Sequence, residues 1–294
     1  MDVVIGSEGF IGRAVADRVP DALQIATSSK DSYGLNLNNY SEYVEAKLRA
    51  ARAETVYLCA GRTGGVGRMA QDPFSFVLPN VRIHMNVFEA CRNAGVKRVV
   101  CIQSTTGYPD TPDAVKEEDY ANGPLHPKYF APGTAHRFIF HLAKMFPFST
   151  VFFRPSNVYG PFNSFDPLLS HVIEATVRKV AERQDPFVIW GDGSETRDAI
   201  YIDDLADAMV MDLPAGAYNV GSGEEMSVND IVYTLLDHVK FDPKIVYDTE
   251  KPTAIPARRV NCEKLRGFGW TPKVGMKEGL IKTLDWYQTS LSDA

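Results

Sequence analysis

The chain has 294 residues, 45% of them hydrophobic and 23% charged, with 37 acidic side chains against 31 basic ones. Such a composition is that of an ordinary globular protein with a sizeable core and argues against disorder, collagen or coiled coil. A net charge of −6 gives no electrostatic case for nucleic acid or anionic lipid as the main partner, and no apolar run approaches the ~20 residues that span a bilayer. The chain starts directly on an apolar strand with no leader pattern, so a cytoplasmic protein is expected. None of Cys59, Cys91, Cys101 and Cys262 stands at Cys-x-x-Cys spacing, and no metal site is expected.

In chain order, Val3–Ile5 reads as a strand and a helix follows from Phe10. Leu23–Ala26 is the next strand, Ser41–Ala53 a helix, and Thr55–Cys59 a β-rich run. Asp72-Pro73, an N-cap followed by a first-turn proline, opens a long helix that closes at Gly95. Arg98–Ile102 and Thr150–Phe153 are further strands. Beyond Arg154 the pattern loosens: a helix over Leu168–Ala181, a strand at Phe187–Trp190, and helices at Asp203–Met211, Val228–Val239 and Met276–Tyr287. Strand alternating with helix predicts an α/β fold, a Rossmann-type doubly wound parallel sheet. Residues 1–160 form the dinucleotide-binding domain, its sheet completed by parts of 195–222, and residues 161–294 form mainly a smaller substrate lobe.

Gly6, Gly9 and Gly12 follow the first strand and open the first helix. Such a loop turns tightly, lets backbone approach a pyrophosphate, and aims free helix N–H groups at the phosphates. The second strand ends in Ala26-Thr27-Ser28-Ser29-Lys30, with no acid until Asp31, which suits the 2′-phosphate of NADP. Glu8, inside the glycine loop, suits the free 2′-hydroxyl of NAD instead. The balance falls slightly toward NADP.

Further segments carry a family resemblance. They are Ala60-Gly61-Arg62-Thr63-Gly64-Gly65-Val66, Asn80 and Asn86, and Gln103-Ser104-Thr105-Thr106-Gly107-Tyr108-Pro109. Arg154-Pro155-Ser156-Asn157-Val158-Tyr159-Gly160-Pro161, Ser170-His171-Val172-Ile173, and Trp190-Gly191-Asp192-Gly193 with Arg197-Asp198 complete the set. With the glycine loop they resemble, over nearly the whole length, the extended short-chain dehydrogenase/reductases that remodel nucleotide-sugars, and within them the GDP-L-fucose synthase branch.

That resemblance implies an NAD(P)-dependent epimerase/reductase acting on a keto-sugar nucleotide. It implies that Ser104 is the hydroxyl bonding the sugar oxygen, Tyr129 the catalytic tyrosine, and His171 an epimerisation acid/base. Thr106 stands where the branch has an epimerisation cysteine. Cofactor contacts fall to Gly6, Glu8, Gly9, Phe10, Ile11, Gly12, Ser28, Ser29, Ala60, Gly61, Arg62, Tyr129, Pro155, Asn157 and Val158. Substrate contacts fall to Asn157, Tyr159, His171, Trp190, Arg197 and Arg258, with Arg197 on the phosphates. Relatives of this kind form homodimers through the long helix near Pro73–Asn93 and the one after Tyr129.

Two positions depart from the pattern. The lysine of Tyr-x-x-x-Lys is replaced by Gly133, preceded by Pro132, so the ammonium that would favour the tyrosinate is missing. The helix after Tyr129 is expected to begin at or after Ala131, with Pro132 in its first turn. Thr106, whose hydroxyl is a far weaker acid than a thiol, does not transfer protons. Lys128, His126, His136 and Arg137 are the neighbours that could compensate. A positive φ at Gly133 would bar its conversion to lysine. The alternative is a non-catalytic nucleotide-sugar or dinucleotide binder that has lost hydride transfer.

Overall fold

Strands β1 (Asp2–Ile5), β2 (Leu23–Ile25), β3 (Thr55–Leu58), β4 (Arg98–Ile102), β5 (Ser149–Pro155) and β9 (Gly216–Val220) form one parallel sheet in the order β2-β1-β3-β4-β5-β9. The computed structural model describes residues 1–26, 42–64, 72, 74–167, 169–251, 257 and 259–292. Successive side chains of a strand point to opposite faces, and this sheet divides them that way. Val4, Tyr57 and Val100 join one core cluster, while Val3, Ile5, Val56, Leu58, Val99 and Cys101 join another. Continuous apolar runs such as Val3-Val4-Ile5 are therefore what a sheet covered on both faces requires.

Helices α1 (Phe10–Arg18) and α6 (Ile202–Met209) cover the first face with Ala14, Val15, Leu205 and Met209. Helices α2 (Glu42–Ala50), α3 (Phe74–Ala94) and α4 (Phe130–Ala143) cover the second with Val44, Leu48, Val87, Phe88 and Ile139. Crossover helices on both faces place every parallel strand's C-terminal end on one rim, where folds of this kind bind ligands.

The remaining chain builds a second layer. A three-stranded sheet orders β10 (Glu225–Ser227), β8 (Thr196–Tyr201) and β6 (Asn157–Tyr159), and β11 (Ile245–Asp248) pairs in parallel with β7 (Phe187–Trp190). Helices α5 (Val172–Ala181), α7 (Val228–His238) and α9 (Met276–Ser292) pack around them, and α8 (Glu263–Arg266) lies beside β9. Of residues 195–222, 216–220 enter the main sheet, whereas 196–201 belong to the smaller one.

Two helix starts differ from expectation. α5 begins at Val172, not Leu168, which lies outside the described residues, and His171 is its extended N-cap residue (φ −83°, ψ 179°). α4 begins at Phe130, one residue ahead of Ala131, after a 3-10 turn over Pro127–Tyr129. Pro132 does fall in its first turn, where the missing N–H costs nothing.

Candidate functional site

The glycine loop is shaped by close backbone approach. Gly6 has φ +86°, its N–H donates to the Ile25 carbonyl at 2.8 Å, and a Cβ there would lie 2.7 Å from the Ala60 nitrogen. On Gly12 a Cβ would overlap the Gly6 carbonyl oxygen. Gly9, the extended N-cap of α1, donates to that same carbonyl at 3.0 Å, and no acid stands in the helix's first turn. This is a cradle with free helix N–H groups and no room for side chains, so it fits a dinucleotide pyrophosphate. Glu8 is exposed beside it; Phe10 and Ile11 pack partly into the core. Ser28 and Ser29 lie outside the described residues.

After β3 the loop Ala60-Gly61-Arg62 is pinned to α3. Asn80 accepts from the Arg62 N–H at 2.8 Å and donates to its carbonyl at 2.9 Å. That pair makes Asn80 the support of the loop after β3.

At the end of β4, Ser104 caps the 3-10 turn Thr105–Gly107. Its Oγ accepts from the Thr106 N–H at 3.1 Å and from the Thr106 hydroxyl at 3.0 Å. From beneath, Tyr120 donates to the Ser104 carbonyl at 3.1 Å. Fully buried Arg154 lies 3.4 Å from the Tyr120 ring centroid and donates to Gln103 Oε1 and to the Glu117 carbonyl, each at 3.0 Å. This cation–π contact and its hydrogen bonds make a stiff floor for the serine.

The turn bearing Thr106 packs against α4 at Gly133. Gly133 has no positive φ; instead, a Cβ on it would lie 2.5 Å from the Thr106 carbonyl oxygen and 3.0 Å from Leu125. Contact, not backbone conformation, is the barrier to a side chain there. Tyr129 sits just before α4 at φ −115°, ψ 13°.

Of the neighbours that could compensate for the lysine, Arg137 spends its guanidinium on the carbonyls of Gly107, Gly123 and Asn122 at 2.7–3.1 Å. Burial pushes the His136 imidazole down to about 3, with His84 and Arg154 adding to it, so it stays neutral. The His126 ring lies 5.8 Å from the Tyr129 ring, and its Nδ1 accepts from the Lys128 N–H at 3.1 Å. Lys128 is exposed. Arg197, on β8, was not among those candidates. Burial lowers its basicity, while the charges of Glu195 and of an ionised Tyr129 act on it in the opposite sense. That places a guanidinium within electrostatic reach of the phenol. Its neighbour Asp198 is turned away, accepting from Ser222 at 3.0 and 3.1 Å.

Asn157 is exposed and donates to the Asp198 carbonyl at 3.0 Å; Pro155 is buried and Val158 half-buried. Tyr159 is 1% exposed and its hydroxyl donates to the Met276 carbonyl at 3.3 Å, so it is packed into the core. Trp190 is exposed at the end of β7. His171 is also exposed, at the helix N-cap. Arg258 lies outside the described residues, among which there is no metal-binding cluster.

One buried acid went unforeseen. Glu174, 1% exposed in the first turn of α5, accepts from the Asn163 amide at 2.6 Å. Burial pushes its carboxyl up to about 7, against hydrogen bonds that include the His171 backbone N–H. Glu174 thus ties His171 to the turn after Tyr159. No local pattern marks such a tie.

Residues 3–221 match the family described as NAD dependent epimerase/dehydratase. GDP-L-fucose synthase 1 of Arabidopsis thaliana is 29% identical, over 97% of this chain and 92% of its own length. Among solved structures, a GDP-L-fucose synthetase from Naegleria fowleri bound to NADP superposes with a TM-score of 0.85 at 23% identity, covering 100% of this chain and 94% of that one. A UDP-glucose 4-epimerase from Thermus thermophilus in complex with NAD gives 0.81 at 23% identity, over 98% and 99% of the two chains. The structural likenesses establish the Rossmann-type fold.

Proposed function

Because the chain belongs to the NAD dependent epimerase/dehydratase family, we propose that it is an NAD(P)-dependent epimerase/reductase of a keto-sugar nucleotide, GDP-linked, with altered acid–base chemistry. The observation that supports this reading is the contact of the Thr105–Gly107 turn with α4, which joins the segments bearing Ser104 and Tyr129. When bound, the nicotinamide exchanges hydride with the sugar carbon. Ser104 donates a hydrogen bond to the oxygen on that carbon, and Tyr129 passes it a proton as the carbonyl becomes a hydroxyl. Arg197 supplies positive charge toward the phenol that the missing lysine would have supplied, and also meets the nucleotide phosphates. Asn157, Trp190 and His171 border the sugar.

NADP is slightly preferred, on the hydroxyls and lysine at 28–30, although exposed Glu8 favours a 2′-hydroxyl. A homodimer is supported by exposed apolar side chains on the adjoining helices: Phe74, Leu78 and Met85 on α3, and Phe130 and Phe138 on α4. The second reading, a binder without hydride transfer, is favoured by one contact, the Thr106 carbonyl that excludes a lysine at 133.

NAD(P)H absorbance against pH with GDP-, UDP-, dTDP- and CDP-linked sugars separates the two. Turnover abolished by Tyr129→Phe supports the enzyme. Turnover surviving that change assigns the acid to another group, and tight sugar-nucleotide binding with no turnover supports the binder.

A further inference from the structure

We propose that Thr106 is a positioning residue for Ser104, acting through its hydroxyl. This inference rests on the reading of Ser104 as the hydroxyl that meets the sugar oxygen. Capping the 3-10 turn needs only the bond from the Thr106 N–H to Ser104 Oγ, at 3.1 Å. The second bond, from Thr106 Oγ1 to the same Oγ at 3.0 Å, adds nothing to the cap. It does fill the serine's acceptor capacity, since a hydroxyl has two lone pairs and one proton. Paired in this direction, the serine keeps its own O–H to donate.

Thr106 is itself held still. Its carbonyl faces Gly133 so closely that a Cβ there would come within 2.5 Å. The glycine that removes the lysine thus lets α4 seat against the residue that aims the serine. Ser104 so held is a hydrogen-bond donor, matched to a bare carbonyl oxygen. No proton leaves Thr106 in the reaction, so its contribution is orientation.

The test is a double-mutant cycle in the full-length protein, with Ser104→Ala, Thr106→Val, their combination, and Thr106→Ser as the conservative control. With GDP-4-keto-6-deoxymannose and NADPH, Thr106→Val is expected to lower kcat about tenfold with KM little changed, the order of one lost hydrogen bond. Thr106→Ser should stay within about twofold of wild type, and Ser104→Ala/Thr106→Val should be no slower than Ser104→Ala alone. If turnover is too slow to measure, the same cycle is read on the affinity for GDP-4-keto-6-deoxymannose by calorimetry, with the same non-additivity expected. Wild-type behaviour of Thr106→Val, or a loss that multiplies onto the Ser104→Ala background, overturns the inference and leaves the reading of Ser104 intact. Wild-type behaviour of Ser104→Ala overturns both.

Discussion

At the end of β1, a methyl group on Gly12 would overlap the Gly6 carbonyl oxygen; at the start of α4, a methyl group on Gly133 would lie 2.5 Å from that of Thr106. The same steric rule acts at both places, with opposite chemical results. Around Gly12 the absence of side chains opens a cradle where helix N–H groups meet an anion. Around Gly133 it closes a gap, seating a helix against a turn and leaving no room for a lysine side chain. The two glycines are thus equally determined by packing. What differs is whether the space saved goes to a ligand or to the protein itself.

The comparison is broken most directly at the cradle. Gly9→Asp puts a carboxylate where phosphates sit; two such charges ~4 Å apart cost about 4 kcal/mol near a protein surface. Dinucleotide affinity should therefore fall about 1000-fold by calorimetry, and equal affinity in the two proteins would place the dinucleotide elsewhere.

Glu174 sharpens the contrast by offering a constraint that is electrostatic rather than steric. Its carboxyl is held near 7 in the fold, against the ordinary glutamate value when unfolded. The stability of the neutral form is complete below the unfolded value and is lost as pH rises through the folded one. Glu174→Gln keeps the acceptor for Asn163 and should gain roughly 3 kcal/mol at pH 8 and almost nothing at pH 4. Thermal melts at the two pH values check this; an equal gain at both would deny the buried titration.

At Gly133 the expected effect is smaller. Gly133→Ala should cost about 2 kcal/mol as overpacking against Thr106, measured as a shift in the denaturation midpoint. Gly133→Lys should show the same cost and no gain in hydride transfer. A lysine variant that is both stable and faster would mean that α4 retreats readily, and the contrast with Gly12 would collapse. Smallest in its effect on the fold, Met85→Glu on α3 should leave the melting temperature unchanged within about 1 kcal/mol of stability while converting dimer to monomer in light scattering.

Much of this was legible in the sequence where the determinants are local. Strands such as Val3–Ile5 and Arg98–Ile102 announce themselves because a sheet covered on both faces needs unbroken apolar runs. The glycine loop was readable because a turn's shape demands glycine at particular spacings. β9 was harder: Gly-Ala-Tyr-Asn-Val carries no strong strand signal, and its pairing with β5 comes from chain some sixty residues away. The burial of Tyr159 is hidden for a similar reason. It shares a strand face with exposed Asn157, and the approach of α9 at Met276 and Gly279 helps to cover it. The Asn80–Arg62 and Glu174–Asn163 ties, and the closeness of Gly133 to Thr106, likewise depend on where distant segments meet.

The return of the chain to lay β9 beside β5 bears on how the protein comes into being. Until Val220 has been synthesised, β5 presents a row of bare backbone donors and acceptors along its outer side. The Arg98 guanidinium waits for the same stretch, since it bonds the carbonyls of Met211 and Leu213. A fragment stopped near residue 160 would carry the whole glycine loop yet keep that sticky border open, inviting strands of other molecules to pair with it. During synthesis, the glycine loop and the strand that seals its sheet are separated by some two hundred residues.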